Sequence, residues 1–151
     1  MKRAFICLAV IVALAGCTKD PNEENAPDIS GTWRAAVTFQ SCSPADVCSA
    51  TGFTQGSTLN STMVLSQGTP NRSEVEGNFT YDGSGITADV QGSVGGNQLV
   101  LDGGASNILG TITVHLAGSF SGNMMNATIT HQINLIDGRS GNVTGSGTFS
   151  R

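Results

Sequence analysis

Two histidines and two of the cysteines are the side chains best equipped for chemistry in this chain. His115 and His131 could act as acid–base groups or metal ligands near neutral pH. Read as strands, the segments carrying them put the two rings on opposite faces, so they are not expected to share a metal or form a catalytic pair. His131 falls on an apolar face. There it is either a hydrogen-bonded interior histidine or a ligand-recognition group. Cys42 and Cys48 stand in Cys42-Ser-Pro-Ala-Asp-Val-Cys48. The spacing is not Cys-x-x-Cys and no further Cys or His lies beside them. A disulfide is therefore expected, with a redox or metal pair as the alternative. Asp82, Asp102 and Asp137 each precede a glycine, the chemistry of hairpin turns. No Gly-x-Ser-x-Gly elbow, His-Glu-x-x-His helix, Walker loop or Gly-x-Gly-x-x-Gly fingerprint occurs. The chain therefore reads as a non-enzyme, with no cofactor and no metal.

The elements that must position these groups are strands. Apolar residues recur at period two, and no window beyond residue 17 carries a helical stripe. Turn-forming clusters divide the chain into strands near 30–41, 57–66, 73–82, 86–94, 97–102, 108–120, 124–136 and 142–150. The segment from Cys42 to Gly56 reads as a cystine loop, and 102–107 as a turn. In the sixth strand Ile108, Gly110, Ile112, Val114, Leu116, Gly118 and Phe120 share one face. In the seventh the same holds for Met125, Ala127, Ile129, His131, Ile133 and Leu135. Keeping both apolar faces together sets Phe120 opposite Met125 and Val114 opposite His131, because a one-residue slip would turn one set outward. One-sided strands joined by short turns argue for an antiparallel meander, and eight of them suit a closed up-and-down barrel whose side chains fill it. A two-sheet β-sandwich is the alternative. Gly-x-aromatic recurs as Gly31-Thr-Trp33, Gly77-Asn-Phe79, Gly118-Ser-Phe120 and Gly147-Thr-Phe149. Glycine at an inward position permits the sharp coiling that closure needs.

The N-terminus carries a different signal. Lys2 and Arg3 precede an apolar run from Ala4 to Ala15, too short to span a bilayer core, which needs about 20 residues. The run ends in Leu14-Ala15-Gly16-Cys17, which resembles the lipobox of bacterial lipoproteins. That resemblance implies a signal peptide over 1–16 and a diacylglycerol on Cys17, so that a lipid bilayer is the first partner. It also implies a cell-envelope protein. Thr18 rather than Asp after the anchor favours the outer membrane where the host has one, facing the periplasm or the cell surface. Residues 17–28, rich in acids and proline, read as a lipidated cysteine and disordered tether. Residues 29–151 read as one barrel domain.

Charge narrows the partners further. Lys19, Arg34, Arg72, Arg139 and Arg151 are the basic residues beyond Cys17, against 11 acidic ones, a net −6. Nucleic-acid binding, which needs clustered Lys and Arg, is not expected.

Ile29-Ser-Gly-Thr-Trp33 at the head of the first strand, eight meandering strands and an arginine near the end together resemble the calycin group of avidins and lipocalins. The resemblance implies that Gly31 and Trp33 open the barrel, with Arg151 or Arg139 from the last segment covering the indole at a closed end; Arg151 is favoured because Arg139 sits in a predicted turn. A biotin site is not implied, since the chain has one Trp and one Tyr. The function read from all this is a membrane-anchored barrel binding a small apolar ligand or lipid at its open end, with Tyr81, His131 and Phe79 as the recognition residues. The alternative is a structural or protein-interaction module of the envelope with a filled barrel.

Overall fold

The computed structural model describes residues 26–68 and 72–151. The expected signal peptide, Cys17 and most of the expected tether lie outside the described residues. The described chain forms strands β1 (Gly31–Ser43), β2 (Thr58–Gln67), β3 (Glu74–Tyr81), β4 (Ile86–Gly95), β5 (Gln98–Asn107), β6 (Gly110–Ser121), β7 (Met124–Leu135) and β8 (Ser140–Ser150), with one short helix, α1 (Ala45–Ala50), between β1 and β2. Each strand pairs antiparallel with the next, and β8 returns to β1, so the sheet is a closed eight-stranded up-and-down barrel rather than a sandwich.

Alternation determines which face turns inward. In β7 buried and exposed residues alternate without exception from Met125 to Leu135. The β6–β7 register places Phe120 opposite Met125, Leu116 opposite Ile129 and Val114 opposite His131, as the apolar pattern requires. The outward residues of the same strands are mostly polar, among them Thr111, Thr113, His115, Asn126, Thr128 and Thr130. Apolar-in and polar-out is the reverse of a membrane-spanning barrel, whose apolar band faces lipid. Inside, Trp33, Phe39, Phe79, Tyr81, Met63, Leu116, Ile129 and Phe149 are all buried.

Closure depends on glycine at points where neighbouring strands crowd. A Cβ on Gly77 would lie 2.0 Å from the carbonyl oxygen of Val64 on β2. Only a residue without a side chain permits that approach.

Three expectations need correction. First, β5 does not stop at Asp102. It runs on to Asn107 and pairs with β6 as far as Gly110. The Gly103-Gly104 pair, read as a breaker, instead lets the strand coil against β4, where a Cβ on Gly103 would lie 1.9 Å from the Asp89 carbonyl oxygen. Asp102 is therefore a mid-strand residue and not a turn residue. Second, the turn moves to Ile108–Leu109, so Ile108 is not on the inner face; it is 90% exposed. Third, the cystine loop contains a helix. Six residues are too few to show a helical stripe, and α1 is held by tertiary contact, with Val47 and Cys48 buried.

Ala26 is buried in the core cluster together with Ile29.

Candidate functional site

The two ends of the barrel differ. At the end where β1 begins, Trp33 is buried and its Nε1 donates to the Ile29 carbonyl at 2.9 Å. The Arg151 guanidinium carbon lies 5.0 Å from the indole centroid, and Arg151 Nη1 donates to the Ser30 carbonyl at 3.0 Å. Gly31 heads β1 two residues before the indole. Arg151 therefore ties the end of β8 to the start of β1, and a cation over the ring face adds attraction. Arg139 is engaged elsewhere. It donates to Asp137 and, at 2.7 Å, to Asp46 on α1. These hydrogen bonds hold both carboxyls below the usual carboxylate range and push the guanidinium higher. These exposed ion pairs connect α1 to the β7–β8 turn, though they count for little in solvent.

The opposite end holds the candidate ligand residues, and the fold brings all three together. Tyr81 Oη lies 2.7 Å from His131 Nε2. Phe79 packs edge-on to Tyr81 with centroids 4.9 Å apart, and 6.5 Å from the His131 ring. His131 Nδ1 lies 3.3 Å from the Thr113 carbonyl oxygen. A carbonyl only accepts, so Nδ1 carries the proton, Nε2 accepts, and the Tyr81 hydroxyl donates. Burial alone pushes the Tyr81 hydroxyl pKa up, and burial lowers that of His131 to about 4. Both groups are therefore neutral near pH 7. They form a satisfied interior pair, and among the described residues no buried side-chain polar atom lacks a partner.

These residues do not face an open lumen. Phe53, on the β1–β2 connection, inserts its ring among them. It stacks on His131 at 5.2 Å with planes only 7° apart, and meets Phe39 at 5.0 Å and Tyr81 at 5.5 Å edge-on. Phe53 is fully buried. Sequence reasoning missed it because it lies in a segment read as loop, where period-two arguments say nothing. The available signal was a large aromatic inside a cystine-bounded connection. Cys42 and Cys48 do form a disulfide, with Cα atoms 6.0 Å apart. It joins the β1 wall to α1. Backbone bonds then carry the constraint to the plug, since Phe53 N donates to the Cys48 carbonyl at 2.9 Å.

The outer face offers little chemistry. A shallow depression of about 520 Å³ over β3, β4 and β5 is lined by Ser66, Glu76, Asn78, Asp89, Gln91 and Asp102, among others. Its polar groups satisfy neighbours: Asn78 Nδ2 donates to Asp89 at 2.6 Å, and His115 Nδ1 lies 2.7 Å from Asp102. Among the described residues no group of three or more His, Cys, Asp or Glu is placed to hold a metal ion.

The fold and these two ends define a class: a small closed antiparallel barrel, apolar within and polar without, stoppered at one end by its own loop. No family model, no curated protein and no solved structure matches this chain.

Proposed function

We propose that this chain is a membrane-tethered structural or protein-interaction module of the cell envelope, acting through its outer surface and loops. The observation that carries this reading is the filled mouth. The interior space an apolar ligand would need beside Phe79, Tyr81 and His131 holds the Phe53 ring. An eight-stranded barrel leaves little room beyond its own side chains, and here a loop side chain joins them. The polar handles expected to greet a ligand are spent on each other. The tether follows from Leu14-Ala15-Gly16-Cys17, with a diacylglycerol on Cys17 as the anchor.

Two measurements test the proposal. Cys17→Ala should move the protein from the detergent phase to the aqueous or unprocessed fraction; unchanged partitioning and mass would end the anchor reading. The purified, oxidised chain should carry no co-extracted lipid and show no saturable binding of an environment-sensitive apolar dye. A stoichiometric bound lipid would return the case to ligand binding.

A further inference from the structure

Phe53 is the one fully buried aromatic among the described residues that no strand supplies. Its ring lies in a box whose walls all belong to the barrel: Phe39 from β1, Tyr81 from β3 and His131 from β7. The parallel stack on His131 and the edge-on contacts with the other two are the arrangement by which a protein holds a planar ring. Tyr81 donates its proton to His131, which leaves the phenol oxygen with capacity to accept from a second donor. The box holds a planar aromatic ring, and the phenol oxygen on its wall would accept from an N–H or O–H group on a ligand ring. The chain's own phenylalanine, fully buried, fills it as a ring without that group.

The stopper is tied to the wall by one covalent link. Cys42 lies on β1, opposite Val143 of β8, and Cys48 closes the α1 segment whose carbonyl holds the Phe53 amide. Cys42 is partly exposed, whereas Cys48 is buried. With the bridge cut, the remaining ties are the buried side chains of Val47, Cys48 and Phe53, the exposed Arg139–Asp46 pair, which counts for little in solvent, and backbone bonds between Phe39 and the Gly56–Ser57 end of the loop. Cutting the bridge removes the one covalent tie and so lowers the cost of opening this segment.

We propose that the ring position of Phe53 is a latent binding site for a planar aromatic ligand bearing a hydrogen-bond donor, latched shut by the Cys42–Cys48 disulfide. The latch opens by thiol–disulfide exchange. A dithiol attacks the bridge through a mixed disulfide, delivers two electrons and two protons to give the Cys42 and Cys48 thiols, and leaves as its own cyclic disulfide. Phe53 then exchanges between seated and released positions. The apparent affinity for a ligand rises with the released fraction. This goes beyond the filled-barrel reading, which describes the oxidised chain.

The test is equilibrium dialysis of the purified full chain against indole, with and without a small dithiol, alongside Phe53→Ala and the double variant Cys42→Ser/Cys48→Ser. Oxidised wild type should bind no indole saturably. Reduced wild type and the double serine variant should bind it about tenfold or more tightly than any residual oxidised-state binding. Phe53→Ala should bind whether oxidised or reduced. Far-UV circular dichroism accompanies each sample. Binding by Phe53→Ala without binding by the reduced, folded wild type overturns the proposal, because the plug then never leaves. So does the absence of indole binding by folded Phe53→Ala. Loss of β structure in both the reduced wild type and the double serine variant also overturns it, because the bridge is then a staple of the fold and not a latch.

Discussion

Tyr81 and His131 face each other across the barrel interior, with the phenol oxygen 2.7 Å from Nε2, and the tyrosine donates. The direction follows from the Thr113 carbonyl on the far side of the ring, which takes the Nδ1 proton. A neutral pair is thus built into the core without a charge partner, and its protonation state becomes part of the stability of the fold.

Acid should weaken the barrel over a defined window. Burial lowers the His131 pKa to about 4 from an ordinary 6.5, and Tyr81 is the titratable group in contact with it. The unfolded chain takes up the proton first as pH falls. The His131 contribution is therefore complete above about pH 6.5 and is lost progressively down to about pH 4, about 3 kcal/mol in all. Urea unfolding across that range, compared with His131→Gln, measures it. Equal pH slopes in the two proteins would refute the assignment.

Tyr81→Phe removes the donor and leaves Nε2 buried without a partner. The expected loss is about 1–3 kcal/mol, the cost of stranding a buried acceptor. Denaturant midpoints report it. A neutral result would mean that water or another donor reaches Nε2.

Arg151→Ala tests the closed end. The cation over Trp33 and the bond to the Ser30 carbonyl both vanish, with an expected loss of about 0.5–2 kcal/mol. Trp33 is the single tryptophan of the chain, so its fluorescence reads this end directly. Arg139→Ala should leave that emission unchanged, since Arg139 binds Asp46 and Asp137 instead.

Gly77→Ala should cost about 1–3 kcal/mol or more, because the new methyl would meet the Val64 carbonyl inside the ordinary contact distance and the β2–β3 pair would have to part. Gly96→Ser, in the β4–β5 turn with nothing within 4 Å of the new Cβ, has open space and pays only for its positive φ. Thermal unfolding of the two variants should rank them in that order, and the reverse ranking would count against close strand approach as the role of Gly77.

Period-two patterning was legible wherever a strand buries one face, so the eight strands, the β6–β7 register and the inward turn of His131 against the outward turn of His115 could all be read from residue order. Local chemistry likewise announced the Cys42–Cys48 pair. What residue order left open was set by neighbours distant in the chain. Whether Gly103-Gly104 breaks β5 or lets it coil depends on how near β4 comes, and that in turn decides that Ile108 sits in solvent. Phe79, Tyr81 and His131 were individually visible as inner-face residues, but the ring that fills the space between them comes from an irregular segment with no periodicity to betray it. A side chain's face follows from local backbone geometry. What occupies the interior follows from the packing of every element at once, and only the closed barrel decides that.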